Sequence, residues 1–290
     1  MDKNLLTGKW HFRTIGMGTV NYRAAAKRLS KEVLSTGLFE TSIGCDERWL
    51  KRQSPKFWDD HKKVLKARVP GFGWWIWKPE FIRISLSQIP LDEGLLYLDA
   101  GSFVSPDSND LESLIKYLNI AMKEGVVGSN SQDFPEESYT SAEILDEFNL
   151  SSLDRKSNQF YGGFLLLRNS AKAKGLIDEW SNLLCLDNHR YLLPKPSQND
   201  HKTFVHHAYD QAILSCMLKK ISAKSIKIGD RGSAGCIRVV RHKYGFRYLN
   251  PRLIEKSLYG AIGFSSRIKL AIERRLMKHS LAIQLMNHRD

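Results

Sequence analysis

Two short runs in the chain are apolar at every position, Leu95-Leu96-Tyr97-Leu98 and Phe164-Leu165-Leu166-Leu167. Turn-forming residues bound them, Asp99-Ala100-Gly101 after the first and Gly162-Gly163 before the second, so each reads as a short strand. Successive side chains of a strand point to opposite faces, so such a strand must be covered on both, and helices packed above and below a sheet do this. Segments with apolar residues at helical spacing supply the cover at 21–36 (Ala25, Leu29, Val33), 78–86, 111–122, 171–184 and 208–219. A first strand over 10–15 runs into the turn Gly16-Met17-Gly18, and further strands are expected at 38–43 and 126–127. Helices are also expected at 58–67, stopping before Pro70, and at 140–148, opening on a Thr140/Glu143 capping box. Segment 187–203 is polar and loop-rich. This alternation predicts an α/β fold, one domain around a mostly parallel central sheet. Ligands of such sheets collect beyond the C-terminal strand ends, where Gly16, Asp99 and Asn169 are expected.

Charge divides the chain. The 290 residues carry a net +13, yet 219–290 hold 17 Lys and Arg against 4 Asp and Glu, while 1–218 balance to zero. A nucleic-acid binder spreads its cations over the binding face of the folded domain. Here the whole excess is C-terminal, which sets nucleic acid aside and fits a neutral body with a basic end that meets something anionic. Within 265–286, Ile268, Ile272 and Leu276 share one helical face, continued by Leu281 and Leu285, while Arg267, Lys269, Arg274, Arg275 and Lys278 supply cations. Two readings stay open: a basic amphipathic C-terminal helix at 263–290 lying on an anionic membrane surface, or a terminal helix packed on the domain 1–262.

A chain of this length buries a sizeable core without metal or disulfide staples. Cys45, Cys185, Cys216 and Cys236 are far apart, with no C-x-x-C and no expected histidine partner at zinc spacing, and so are read as free thiols of a reducing compartment. Residues 1–8 are polar and are read as lacking a signal peptide, and no apolar run nears the roughly 20 residues of a membrane span. The expected location is cytoplasmic, peripheral on the inner face of a membrane if the basic helix binds one.

Four clusters carry chemistry. Gly71-Phe72-Gly73-Trp74-Trp75-Ile76-Trp77-Lys78-Pro79 holds three Trp in four residues. They diverge from one another on any regular element, so at least one is expected to line a surface or cleft and offer a sugar-stacking face. Lys78, at a helix start with Pro79 in the first turn, is placed to meet a phosphate. Asp99 ends an apolar strand, where a carboxylate can hold a cation or a ribose hydroxyl, and Gly101 allows close backbone approach; Asp is equally a turn residue there. Gly162-Gly163 admits a ligand or another backbone, with a bulge or turn the alternative. Asp210-Gln211 enters an apolar helix, suited to sugar hydroxyls, with Asp210 as a helix N-cap the alternative. His206 and His207 are neighbours that point apart and make no joint metal site.

In order and spacing, G-F-G-W-W-I-W-K-P, L-L-Y-L-D-A-G, Y-G-G-F-L-L-L-R-N-S with Glu179-Trp180, and Y-D-Q-A-I-L-S resemble a family of bacterial and viral glycosyltransferase-like proteins of the GT-A fold, over roughly residues 10–242. That family is similar to the nucleotide-diphospho-sugar transferases. The resemblance implies a nucleotide-diphospho-sugar donor, a glycan or lipid-linked acceptor, and a role in surface polysaccharide or lipopolysaccharide synthesis. It implies donor contacts from Thr14, Gly16, Gly18, Trp77, Lys78, Asp99, Gly101, Gly162, Gly163 and Arg241. Asp210 and Gln211 match the pair that lies under the transferred sugar in related retaining enzymes, which favours retention; Asp210 acting as base in an inverting reaction stays open. Asp99 stands where the first acid of a D-x-D motif would hold Mn²⁺ or Mg²⁺, with His242 near a late metal-completing histidine. The second acid is absent, since the motif reads Asp99-Ala100-Gly101, so such a shell needs water or diphosphate oxygens, or Lys78 or Arg241 must stabilise the diphosphate instead. An inactive protein that binds sugar nucleotides or glycans is the alternative from another class.

Overall fold

The computed structural model describes residues 5–67, 69–104, 108–130, 133–194, 197–230 and 236–239. Arg241, His242 and the expected helix at 263–290 lie outside the described residues. The chain opens with β1 (Trp10–Gly16), α1 (Val20–Ser35), β2 (Thr41–Asp46), α2 (Glu47–Gln53) and α3 (Pro55–Lys66). A distorted turn, α4 (Gly71–Trp74), leads into α5 (Trp77–Ser87), β3 (Gly94–Leu98) and β4 (Ser102–Val104). Then come α6 (Ser108–Glu124), β5 (Val126–Gly128), α7 (Glu136–Tyr139), α8 (Ala142–Glu147), α9 (Ser152–Lys156), β6 (Phe164–Arg168) and α10 (Ala171–Cys185). After a 3-10 turn, Asp187–His189, the chain continues with α11 (Tyr209–Lys220), β7 (Lys224–Ser225), β8 (Gly229–Asp230) and β9 (Ile237–Val239).

The fold is mixed α/β, with a six-stranded sheet in the order β2-β1-β3-β6-β5-β7. β1 pairs in parallel with β2 and β3, as β5 does with β7, while β6 runs antiparallel to β3 and β5. A second sheet, β4-β9-β8, was not expected from the sequence. Every residue of β1 and β3 is buried, as the all-apolar run at 95–98 demands. The core between sheet and helices joins Trp10, Phe12, Leu96, Leu98 and Leu166 to Leu29 and Val33 of α1 and to Leu114, Ile115 and Leu118 of α6. A buried ion pair fixes α1 to the turn after β3: Arg28 meets Glu32 at 2.8 Å and donates to the carbonyls of Ala100 (3.1 Å) and Ser102 (2.8 Å). Burying charge is costly unless it is paired and hydrogen-bonded, and both conditions hold here.

The reversed direction of β6 has two consequences. Its first residue, Phe164, lies opposite Leu98 at the end of β3, so Gly162-Gly163 reach the edge that carries Asp99. Asn169, following β6, falls at the other edge beside Glu93; it is buried and its amide donates to the carbonyls of Ile89 and Pro90, both at 2.9 Å. The expectation that Asn169 joins Gly16 and Asp99 is therefore corrected, because it assumed a parallel strand.

Local differences have local causes. The strand expected at 38–43 runs three residues later, because Leu38 and Phe39 leave the chain after Gly37 (φ +68°) to enter the core. α2 was missed; Asp46 caps it by accepting from the Trp49 N–H at 3.0 Å. The Thr140 capping box does not form, since the Thr140 hydroxyl donates to Glu136 Oε1 at 2.5 Å and α8 starts after Ser141. The four cysteines are free, and three of them are buried. Among the described residues no helix is long and apolar enough to cross a membrane.

Two glycines test this packing in opposite senses. A Cβ at Gly16 would sit 2.0 Å from the Tyr22 carbonyl oxygen, whereas one at Gly175, exposed in α10, meets nothing within 4 Å. We expect Gly16→Ala to lower stability by about 1–3 kcal/mol through overpacking. Gly175→Ala should raise it by roughly 0.5–1 kcal/mol through helix propensity. Chemical denaturation of both variants checks this; a neutral Gly16→Ala would contradict the close approach of α1 to β1.

Candidate active site

An ammonium group buried away from water needs compensating charge, and Lys78 obtains it from three elements. Its side chain, 4% exposed, leaves the first turn of α5 and ends 3.0 Å from Asp210 Oδ2 and 3.3 Å from Asp99 Oδ1. It donates to the Gly162 carbonyl at 3.2 Å. Trp75 covers it, with the ring centroid 5.6 Å from the nitrogen, a cation–π contact. Asp99 follows β3, Gly162 precedes β6 and Asp210 stands in the first turn of α11, so three distant parts of the sequence meet at one sheet edge.

The glycines make this meeting feasible. A Cβ at Gly163 would lie 2.6 Å from Asp99 Oδ2 and 2.5 Å from the Tyr161 hydroxyl, and one at Gly162 would press on Gln211 at 3.0 Å. The Gly163 carbonyl accepts from the Asp99 N–H at 2.9 Å, and the Gln211 amide oxygen accepts from the Gly162 N–H at 3.1 Å. Gln211 in turn donates to Gln159 at 2.8 Å. Gln159 donates to Glu136 and Thr140, and Glu136 is closed by Lys219 (2.8 Å) and by the Ser215 hydroxyl (2.5 Å). Every member of this second network is a buried or half-buried polar group with a partner, which fixes the Gln211 amide in place.

Electrostatics single out Asp210. Burial pushes its carboxyl up to about 7; Lys78 opposes that shift and Asp99 adds to it. Desolvation works against the Lys78 cation, but Asp210 and Asp99 overcome it and raise its pKa. Burial, with Asp99 beside it, holds the Tyr97 phenol well above its ordinary value, so it stays a donor and gives Asp99 Oδ1 a 2.7 Å hydrogen bond. Asp210 Oδ2 lies at ion-pair distance from Lys78 but accepts no aligned hydrogen bond among the described residues. A buried carboxylate oxygen in that state can accept a ligand hydroxyl.

The loop before Lys78 is held in an unusual conformation. Phe72 (φ 55°), Trp74 (φ 50°) and Trp75 (φ 62°) all adopt the left-handed region, as does Tyr209 (φ 50°), whose ring lies 5.9 Å from that of Trp75. Bulky residues rarely adopt this backbone, and such strain gathers at functional sites. Trp75 is the half-exposed tryptophan of the three. Trp77 is 4% exposed and spends its N–H on the Gly71 carbonyl at 2.8 Å, so it braces the loop.

No family model matches the chain, and no curated protein sequence matches it. Solved structures do. The chain is similar to mouse xyloside xylosyltransferase 1 in its apo form, at 10% identity over 77% of this chain and 87% of that one, with a TM-score of 0.41. It is also similar to the galactosyltransferase LgtC in complex with donor and acceptor sugar analogs, at 15% identity over 71% of this chain and 70% of that one, with a TM-score of 0.38.

The structure thus brings Lys78, Asp99, Gly162, Gly163, Asp210 and Gln211 together. Gly101 is half-buried in the turn closed by the Ser102 N–H donating to the Asp99 carbonyl at 2.9 Å. Gly18 (φ +82°) packs on the Phe72 ring, while Gly16 is taken up by α1. Thr14 is fully buried in β1, its hydroxyl unpartnered among the described residues. Asp210 is not an N-cap; Ala208 holds that position and the Asp210 side chain turns to Lys78. Tyr97, Tyr209 and the Glu136 network were not expected from the sequence; of the three tryptophans, at least one of which was expected to line a surface or cleft, it is Trp75 and not Trp77 that stays half-exposed. For Mn²⁺ or Mg²⁺, Asp99 offers one carboxylate whose oxygens already meet Tyr97 and Lys78, and Gly101 adds no ligand side chain. These described residues do not form the oxygen shell either ion takes.

Removing the ammonium strands two carboxylates. We expect Lys78→Met to lose about 3–5 kcal/mol, and the double variant with Asp210→Asn to lose less than Lys78→Met alone. The Asp210 shift also has a sign. A carboxyl whose folded pKa is raised favours the folded state when protonated, so its contribution is full in acid and erodes between pH ~4 and ~7. Wild-type stability should fall relative to Asp210→Asn across that window in urea denaturation; parallel profiles would contradict the assignment.

Proposed function

We propose that the chain is a nucleotide-sugar-dependent glycosyltransferase acting on a glycan or lipid-linked acceptor in surface polysaccharide or lipopolysaccharide synthesis. The observation that carries this is Lys78 buried between Asp99 and Asp210 beside Gly162-Gly163 at the end of β3. Glycosyl transfer makes the anomeric carbon cationic while negative charge grows on the leaving diphosphate. Two carboxylates held by one ammonium carry a net negative charge when ionised, which suits a sugar ring turning oxocarbenium-like.

In this reading the sugar lies over Asp210 and Gln211. The unaligned Asp210 oxygen and Asp99 accept its hydroxyls, Trp75 and Tyr209 form the aromatic wall, and the glycine step admits the ring. Lys78 orients both acids, and Arg241, in the basic C-terminal part, is the proposed counter-charge for the diphosphate. With its carboxyl pushed up to about 7, Asp210 exchanges protons at neutral pH. Retention is the preferred outcome, on the resemblance of Asp210-Gln211 to the pair beneath the sugar in retaining enzymes. A second reading, an inactive sugar-nucleotide or glycan-binding protein, draws on one observation: the Lys78 cation already sits against the lone acid Asp99 where a D-x-D metal would be.

A panel of UDP-, GDP- and CMP-sugars separates these readings. Turnover of one donor, lowered roughly 10²–10⁴-fold in Asp210→Asn, is expected. Binding without transfer or hydrolysis would favour the second reading, and no binding of any donor would contradict the first reading and the sugar-nucleotide form of the second. For the basic end we expect the full chain to sediment with anionic vesicles in a salt-dependent way and the chain lacking 263–290 to stay in solution. Equal sedimentation of the two would remove the membrane role.

A further inference from the structure

Away from this site, three side chains with soft or borderline donor atoms converge at the C-terminal end of α10. Cys185 is the last residue of that helix, His189 closes the 3-10 turn four residues on, and His61 reaches them from α3. One ligand atom from each lies within 4.8 Å of the others, and all three residues are half-buried. The expectation that no cysteine has a histidine partner at zinc spacing is corrected: Cys185 and His189 stand four residues apart, and the third member comes from a remote helix.

We propose that His61, Cys185 and His189 form a Zn²⁺ site. One sulfur and two imidazole nitrogens suit borderline-soft Zn²⁺, with a water as the fourth ligand. Ligand atoms of a tetrahedral zinc shell stand roughly 3.3–3.8 Å apart, so a set held within 4.8 Å needs a contraction of at most about 1 to 1.5 Å to close. His189 is already oriented for it. Its Nδ1 donates to the Leu184 carbonyl at 2.7 Å, which leaves Nε2 as the lone-pair nitrogen, the arrangement that metal-bound histidines use. The turn is held there against preference: Asp187 (φ 45°), Asn188 (φ 54°) and His189 (φ 67°) are consecutive left-handed residues. Two acids, Asp60 and Glu80, act electrostatically on both His61 and Cys185, though each is itself paired with a cation, Lys56 and Arg83 respectively. A bound ion would staple α3 to the end of α10.

The test is titration of the full-length, metal-stripped protein with Co²⁺, followed by displacement with Zn²⁺. We expect a thiolate-to-cobalt charge-transfer band that Zn²⁺ abolishes, one ion per chain by mass spectrometry under native conditions, and a rise in melting temperature on adding Zn²⁺. Cys185→Ser should lose the band, and His61→Gln should weaken Co²⁺ binding by about 10–100-fold while keeping the metal-free melting temperature of the wild type. If Cys185→Ser does not fold, His61→Gln alone decides. Absence of the band in the wild type, its persistence in Cys185→Ser, or unchanged affinity in His61→Gln would overturn the proposal. Donor-sugar binding is measured in parallel and does not bear on it, because none of the three residues belongs to the Lys78 cluster.

Discussion

An ammonium buried at the edge of a sheet can exist only if carboxylates are delivered to it, and much of this fold is arranged around that delivery. Lys78 is brought in by α5, Asp99 by the end of β3 and Asp210 by the start of α11, with the Gly162 carbonyl completing the set. Each partner is buried or half-buried, so none is replaced by water without loss, and the cluster ties the first half of the chain to the second. Burial is the main cause of the raised Asp210 carboxyl; Asp99 adds to it, and the one cation, shared by two acids, opposes the shift without cancelling it.

The antiparallel strand makes that convergence geometrically available. Had β6 run parallel to β3, the residues after it would have met Asp99, and Gly162-Gly163 would lie at the far edge. The reversed direction brings to the site a glycine pair whose missing side chains leave room for Asp99 and Gln211. Behind it, the Gln211–Gln159–Glu136–Lys219 chain of contacts holds the amide that faces the site. Polar networks of this kind tolerate no missing partner.

Much of this was legible in the sequence, and the reasons differ by residue. Leu95-Leu96-Tyr97-Leu98 announces a strand covered on both faces, and the acid after it marks the edge where Lys78 and Asp210 converge. Lys78, Gly162-Gly163 and Asp210-Gln211 were identifiable as candidates because lysine, paired glycines and acid-amide pairs are unusual beside apolar elements. Strand direction was not legible, which is why Asn169 was misplaced. Side-chain direction was not either: Asp210 lies inside the first turn of α11, past the N-cap at Ala208, and its carboxylate turns inward to Lys78. Among the tryptophans, the left-handed backbone that exposes Trp75 and buries Trp77 depends on the loop closing over α5. The basic C-terminal part, with Arg241 and His242, lies outside the described residues.

In the proposed function the Lys78–Asp99–Asp210 cluster receives the sugar of a nucleotide-diphospho-sugar. A crystal structure with a hydrolysis-resistant 2-fluoro sugar nucleotide measures this directly. The sugar ring is expected over Gly162-Gly163, with hydroxyls in hydrogen-bond reach of Asp99, Asp210 and Gln211 and the ring or its edge against Trp75. A donor bound with its sugar elsewhere and these three side chains untouched would contradict it.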